Sequence, residues 1–551
     1  MTIKIFSVAE MVAAEKAADA SGHSYDQMME IAGRSVAQAI VDRYDVTGRQ
    51  IMVLVGPGNN GGDGLVAGRY LAEAGAEVVF YLFKPRDPAG DSNFARIQEM
   101  GLFHMNAAYD QRYRALRLRL RTVDIVVDGL LGTGVSRPIE GELAQLMRQV
   151  QAGLAERSTP ATAEVFRPGL VNPTQLFPDP AGEVPPVVVA IDCPSGLNCD
   201  SGELDTLAFP ADCTVTFAGA KRGHFRFPGA AACGELLVAD IGIDPNLPEV
   251  RSVLLDLATA DLARSLLPPR PLYGHKGTFG KVLIVAGSER YWGAPLLAGR
   301  AAYRVGVGLV AITLPKVVRP VVAAQLPEAT YPLVPEPGDL GQATGRQILN
   351  YMGEYKALLV GPGLGEDPSL MQALLAGGKY PPLVIDADGL NALAGIAGWQ
   401  KRLPPETILT PHPGEMARLM DVPLVKLKRQ DRVAVAQEKA AEWRKIVVLK
   451  GAFTAVAAPD GRCTLIPFAN PLLGTAGSGD VLAGVILGLL GQGVAPYEAA
   501  VLGAYLHGAA GQVAAAAVGK AGVLAGELAD WLPEARRQLR TEPVALTTDE
   551  A

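Results

Sequence analysis

Short apolar runs alternate with stretches of helical spacing along most of the chain, and the runs end in glycine-rich or acidic loops. Between Met11 and Val41, small apolar and charged residues recur at helical spacing with breaks at Gly22 and Gly33, which predicts two helices before the first strand. A strand at Gln50–Val55 then runs into GPGNNGGDG and is followed by a predicted helix at Leu65–Ala74 and a strand at Glu77–Phe83, a β-loop-α-β unit. Strands predicted at Ile125–Val127 and Val187–Ile191 each end in a carboxylate and a glycine-containing loop, DGLLGTG and DCPSG. Polar clusters at several strand ends imply one crevice above a parallel sheet, where α/β folds place ligands.

A second alternation of strands and helices follows. Residues 245–271, rich in proline and leucine and containing LPPRP, predict a linker between a domain at 1–244 and one at 272–535, with a polar tail at 536–551. VGPG occurs at Val55–Gly58 and again at Val360–Gly363, but the flanks diverge, so it is a recurring strand-to-loop solution and not a duplication. After a predicted helix at Glu142–Glu156, residues 158–186 carry many prolines and no periodicity. Loops of that length are uncommon and are usually disordered or functional.

At 551 residues the chain is too long for one core, and 49% apolar with 19% charged residues predicts an ordered, packed fold. The net charge of -7 supplies no basic field for nucleic acid or anionic lipid, which leaves small molecules as the expected partners. Cys193, Cys199, Cys213, Cys233 and Cys463 form no CxxC pair and no zinc spacing, a usage that fits a reducing compartment. The start MTIKIFSVAEMVAAEKAADA lacks the charge and apolar core of a signal peptide, so a cytoplasmic location is expected. The apolar region Val481–Pro496, interrupted by Gln492, is shorter than the roughly 20 residues a bilayer requires and predicts a core helix.

The most informative run for chemistry is GTAGSGDVLAG at Gly474–Gly484. Backbone N–H groups of Gly477, Ser478 and Gly479 can converge on an anion at a helix start, and Asp480 can take a proton from an attacking hydroxyl. An ordinary N-cap aspartate is the structural alternative. In the first half, GNNGGDG at Gly58–Gly64 offers amide donors, carbonyl acceptors and close backbone approach to a pyrophosphate; Asn and Gly are also the commonest turn residues.

With HKGTFGKVLIVAGSERYWGAPLLAGRAAYRVGVGLV at His275–Val310, VGPGLG at Val360–Gly365, VIDADGLN at Val384–Asn391, TPHPGEM at Thr410–Met416 and VVLKGAFT at Val447–Thr454, the second half resembles ribokinase-like enzymes. Among them it is similar to the ADP- or ATP-dependent NAD(P)H-hydrate dehydratases. GNNGGDG with DGLLGTG and DCPSGL makes the first half similar to the NAD(P)H-hydrate epimerases, and the two together resemble bifunctional NAD(P)H-hydrate repair enzymes. The resemblance implies a Rossmann-like three-layer α/β/α domain followed by a ribokinase-like α/β/α domain.

It further implies that Asn59, Asn60, Gly61, Gly62 and Asp63, with Gly132, Thr133, Gly134, Val135, Ser136, Arg137 and Pro138, would hold the hydrated dinucleotide for epimerisation. Asn60, Asp128 and Ser195 would hold a potassium ion, and Asp192 would meet the reacting ring as a catalytic residue. In the second half Ala294, Gly365 and His412 with the catalytic Asp480 would line the hydrate site. Lys450, Gly451, Ala452, Phe453 and Thr454 with Gly479 would hold ADP or ATP, accompanied by magnesium. Asp128 and Asp192 can also be capping residues, His412 a structural histidine, and Lys450 a solvated strand end. The family passes from the helix almost directly to the strand before DxPSG, so residues 158–186 are an insertion. A homo-oligomer is expected. The rival for the whole chain is a small-molecule kinase fused to a non-catalytic binding module, told apart by whether phosphate or a phosphoester is released.

Overall fold

The computed structural model describes residues 3–158 and 186–540; the insertion at 159–185 and the end at 541–551 lie outside the described residues. The chain divides into two compact units, Lys4–Val253 and a second from Leu254 onward.

In the first unit the strands are β1 (Ile3–Phe6), β2 (Gln50–Val55), β3 (Glu77–Leu82), β4 (Phe103–Asn106), β5 (Ile125–Gly129), β6 (Val187–Ile191), β7 (Cys213–Phe217), β8 (Ala220–Lys221) and β9 (Glu235–Ala239). Seven of them form a sheet in the order β4-β3-β2-β5-β6-β7-β9, parallel throughout, while β1 pairs with β8. Alternate residues of β2 enter different cores. Ile51, Val53 and Val55 pack with Val36, Ile40, Leu65 and Leu71 from helices Tyr25–Val41 and Asn59–Glu73. Met52 and Leu54 pack with Leu116, Leu120, Leu146 and Met147 from helices Arg114–Leu120 and Gly141–Ser158. Both faces are covered, which explains the uninterrupted apolar run IMVLV.

In the second unit the strands are β10 (Leu255–Leu257), β11 (Lys281–Val285), β12 (Leu309–Thr313), β13 (Ala357–Val360), β14 (Leu383–Ile385), β15 (Ile408–Leu409), β16 (Ile446–Leu449), β17 (Ala455–Ala457) and β18 (Cys463–Leu465). From β12 the order is β12-β11-β13-β14-β15-β16-β17-β18-β10; it is parallel to β16, after which β16, β17 and β18 are joined antiparallel. Val282 and Ile284 face helices Gly293–Val305, Ser478–Gly491, Pro496–Val518 and Ala525–Arg540, and their neighbours Leu283 and Val285 are equally buried on the opposite face.

Each unit leaves the same kind of opening. The first sheet is wound outward in opposite senses from β2 and β5, and the second from β11 and β13, which puts a crevice beyond the C-terminal ends of each pair.

Four expectations change, the first being that two helices precede the first strand: β1 comes before both, Val8–Ala20 and Tyr25–Val41. The stretch 245–271 is no free linker: helix Pro248–Arg251 belongs to the first unit, where Val250 and Val253 pack with Phe6 and Met11, and β10 pairs with β18 in the second. The segment 536–551 begins as structure, since helix Ala525–Arg540 contains Arg536, which is buried and donates to Val305 O at 2.6 Å. Gly33 lies inside helix Tyr25–Val41, where a Cβ would stand 2.4 Å from Val66 Cβ, so that glycine serves close helix packing and breaks nothing. The expected core helix after Asp480 is present as Ser478–Gly491, with Val481 to Gly491 buried, and a separate helix, Pro496–Val518, follows it. The second is long and apolar enough to cross a bilayer by length and composition, and 61% of its apolar window is buried within the protein.

Candidate active sites

In the first unit the crevice is built by backbones that approach closely. A Cβ on Gly56, just past β2, would stand 1.8 Å from Leu130 O, just past β5. NNGGDG is not a free loop: helix Asn59–Glu73 begins at Asn59 with Gly58 as N-cap, six residues before the predicted start. A Cβ on Gly61 would meet Gly56 O at 2.2 Å and one on Gly62 would meet Met29 Sδ at 2.7 Å, so these glycines let the helix start press on its neighbours. Arg86 fixes the turn, donating to Gly56 O at 2.7 Å and Gly58 O at 3.0 Å. The helix N-terminus therefore faces a cavity of ≈ 1050 Å³ lined by residues 57–60, 130–141 and Leu143. Asn59, Asn60 and Gly132 to Pro138 line it; Gly61, Gly62 and Asp63 are buried behind its wall.

Asn60, Asp128 and Ser195 meet around residue 131. Asn60 Nδ2 donates to Leu131 O at 2.9 Å, and Leu131 N donates to Ser195 Oγ at 2.9 Å. Asp128, 0% exposed, accepts from Ser195 Oγ at 2.7 Å, Ser195 N at 2.8 Å and Leu130 N at 3.2 Å. No basic side chain joins it among the described residues.

Asp192, in left-handed backbone at φ 62°, is placed otherwise. Its Oδ1 accepts from Thr216 Oγ1 at 2.8 Å and from Lys221 Nζ; Lys221, 1% exposed, also donates to Thr216 Oγ1 at 2.7 Å and Phe217 O at 3.2 Å. Burial alone would raise the Asp192 carboxyl, but Lys221 and Thr216 outweigh it and hold it below the usual range. Asp63 is pushed well above its usual range by burial and then by the charges of Asp192 and Glu15. The two carboxyls are thus shifted in opposite directions.

In the second unit a Cβ on Gly361 would stand 1.8 Å from Asp386 O, the same solution as Gly56 in the other VGPG. A Cβ on Gly363 would lie 3.1 Å from Ala294 Cβ, and Gly365 N donates to Asp388 Oδ2 at 2.9 Å. Ala294 and the 363–365 turn are thus adjacent. The turn contributes Leu364 to a cavity of ≈ 580 Å³ at the ends of β11, β12 and β13, lined also by Gly287, Ser288 and Lys316; Ala294, Gly365, His412 and Asp480 are not among its lining residues.

Asp480 is the third residue of helix Ser478–Gly491, whose N-cap is Gly477 at φ 89°, so it is not the capping residue. Its carboxyl is pushed up to about 7, first by burial and then by Asp386, Asp388 and Glu415 against the pull of Lys450. Ser478 is committed to its own turn, its N–H donating to Thr475 O at 3.2 Å and its hydroxyl to Leu473 O at 2.7 Å. The amides of Gly477 and Gly479 are the better anion donors of the three predicted.

Lys450 directly follows β16, and its Nζ donates to Asp386 Oδ1 at 2.8 Å and lies 3.7 Å from Glu415 Oε2. The loop Lys450 to Thr454 joins β16 to β17, with Thr454 Oγ1 donating to Gly451 O at 3.0 Å. Arg432 braces it, donating to Ala452 O at 2.7 Å, Lys450 O at 3.0 Å and Leu449 O at 3.1 Å. His412 caps helix Pro413–Leu419, its Nδ1 accepting from Gly414 N at 2.9 Å. Its ring is held below the ordinary imidazole range by burial and by Lys450 and Arg418, so it is neutral at neutral pH.

Lys221, Thr216 and Glu15 in the first unit, and Asp386, Thr410, Glu415 and Arg432 in the second, do not stand out in the sequence as individual residues. Asp386, Thr410 and Glu415 lie in the motifs VIDADGLN and TPHPGEM, where position at a strand end is the available signal. Lys221 and Arg432 sit in segments without any local pattern; only the fold brings them to Asp192 and to the Lys450 loop.

Comparison with known proteins agrees with this division. Residues 25–223 match the family described as YjeF-related protein N-terminus, and residues 282–534 match NAD(P)H-hydrate dehydratase. The bifunctional NAD(P)H-hydrate repair enzyme of Moorella thermoacetica is 39% identical over 525 residues, covering 94% of this chain and 93% of that protein. Its counterpart in Escherichia coli K12 is 31% identical over 515 residues, covering 93% and 90%. A crystal structure of the ADP/ATP-dependent NAD(P)H-hydrate dehydratase from Bacillus subtilis, co-crystallised with ATP/Mg2+, covers 51% of this chain and 98% of its own, at 36% identity and a TM-score of 0.45. With both family matches in order along the chain and nearly full-length relatives at this identity, the chain belongs to the family of bifunctional NAD(P)H-hydrate repair enzymes.

Proposed function

We propose that the first unit interconverts the R and S epimers of NADH and NADPH hydrated at C6, and that the second dehydrates the S epimer at the expense of ADP or ATP. Hydroxide is a poor leaving group. Asp480 takes the proton of the C6 hydroxyl, whose oxygen attacks the terminal phosphorus of the nucleotide and expels AMP or ADP. Loss of phosphate from C6, with a proton from C5, then restores the dihydronicotinamide. Gly477 and Gly479 face the transferred group, and stabilisation of its charge in a preorganised site is the main catalytic term available. Magnesium would accompany the nucleotide phosphates and neutralise part of their charge. In this reading Ala294, Gly365 and His412 hold the hydrate, and Lys450 to Thr454 hold the nucleotide.

In the first unit Asp192 takes the hydroxyl proton at C6 as the carbonyl forms and the C6–N1 bond breaks, the proton passes to N1, and the reverse closure on the other face of C6 gives the second epimer; the hydrated dinucleotide lies along Asn59, Asn60 and Gly132 to Pro138. The buried carboxylate of Asp128, met by neutral donors alone among the described residues, fits a cation. Oxygen donors from Asn60, Asp128 and Ser195 suit a hard monovalent ion such as potassium, which would tie the helix start to the loop after β5. The five cysteines are free and buried, in keeping with work in the cytoplasm.

The observation that carries the reading is Asp480, buried at a glycine-flanked helix start with its carboxyl near neutrality. A base acts when ionised, so dehydration of S hydrate rises with pH through about 7 and levels above it. The pH dependence of kcat measures this, and a rate flat from about pH 5 to 8, as for an ordinary carboxylate, contradicts it.

A further inference from the structure

The lysine at the anion site is not free. Asp386, 1% exposed at the end of β14, accepts at Oδ1 from Thr410 Oγ1 at 2.7 Å and from Lys450 Nζ at 2.8 Å. Thr410 directly follows β15 and Lys450 directly follows β16, so the residues just past three adjacent strands make a chain Thr410, Asp386, Lys450. The far end of that chain is the ammonium, 3.3 Å from the place a Cβ on Gly479 would occupy. Gly479 leaves this approach open.

Stability does not account for the arrangement, since a buried ion pair gains little over well-packed apolar residues. Preorganisation does. A lysine is a compact charge on a flexible stem, and left alone it would have to be ordered during the reaction. Anchored through Asp386, it meets developing phosphoryl charge without reorganising. Lys450 is held above its ordinary range, because Asp386 and Glu415 outweigh the effect of burial, and so it stays charged.

We propose that Asp386, itself fixed by Thr410, is a positioning residue that holds the Lys450 ammonium against Gly479, from where it serves the phosphoryl group in transfer. The proposal rests on the assignment of phosphoryl transfer to this site.

The charged neighbours of Asp480 give the test a second readout. Asp386, Asp388 and Glu415 raise its carboxyl and Lys450 lowers it. His507, on helix Pro496–Val518, donates to Ser478 O at 3.0 Å and is pushed down to about 4 by burial; like His412 it is neutral at neutral pH. Removing the Asp386 charge therefore moves the acid limb of the dehydration profile to lower pH.

The experiment uses the full chain with S hydrate, magnesium and ADP or ATP, in Asp386→Asn, Thr410→Val and Asp480→Asn. Asp386→Asn is expected to lower kcat about 100-fold with the acid limb moved down, the scale of losing one preorganised donor. Thr410→Val, which removes one hydrogen bond to a charged group, is expected to lower kcat about tenfold. Circular dichroism and thermal unfolding of the full chain, compared with wild type, report folding, and if Asp386→Asn fails to fold, Thr410→Val decides. Values of kcat within about threefold of wild type and an unmoved limb in the folded variants, with Asp480→Asn inactive, overturn the positioning role alone. An active Asp480→Asn overturns the site assignment, and the proposal with it.

Discussion

Asp480→Asn abolishes nucleotide-dependent dehydration and leaves epimerisation unchanged. Loss of a positioned general base costs about two to four orders of magnitude in rate. The amide keeps the size of the side chain at the third position of helix Ser478–Gly491, and it removes a carboxylate already costly to bury. The fold therefore has no reason to fail. Gly477 and Gly479 still offer their amides, so nucleotide binding survives and the loss appears in kcat. Assayed with pure S hydrate, dehydration within about tenfold of wild type would sink the assignment.

Asp128→Ala acts on the other unit. Asp128 is the only full negative charge among Asn60, Asp128 and Ser195, and it also receives both the N–H and the hydroxyl of Ser195. Its removal would leave a bound cation with neutral oxygens alone, and it takes away the acceptor of both Ser195 and Leu130 N. Loss of a supporting ligand at an ion site typically costs about 10- to 100-fold, and epimerisation of R hydrate is expected to fall by that much while dehydration of S hydrate persists. A coupled assay from pure R hydrate, corrected for spontaneous epimerisation and run with potassium or a bulky organic cation, reads the effect. Equal turnover in wild type and variant, without potassium dependence in either, contradicts the site.

Much of this organisation is legible in the residues alone, for a physical reason. A parallel sheet covered on both faces needs continuous apolar strands, so IMVLV and VVVAI stand out, and ligand loops must follow them. Features that depend on partners distant along the chain are not legible in that way. The glycines of NNGGDG look like a loop, yet Gly61 is required by Gly56 O and Gly62 by Met29, and the segment is helical from Asn59. Likewise the prolines of 245–271 suggest a linker, whereas β10 finds β18 more than two hundred residues away. Lys221 carries no local signal at all; its pairing with Asp192 depends on β7 lying beside β6 and on the short turn from β7 into β8.

The most direct measurement begins with a mixture of R and S hydrates of NADH, purified protein, magnesium and ADP or ATP, and follows both the reduced-nicotinamide absorbance and free phosphate. Two joined activities predict full recovery of the absorbance from both epimers, with phosphate released in step and no phosphorylated hydrate accumulating. Recovery that stops at the S fraction would remove the epimerase, and a stable phosphoester without recovered absorbance would make the second unit a kinase and contradict the account.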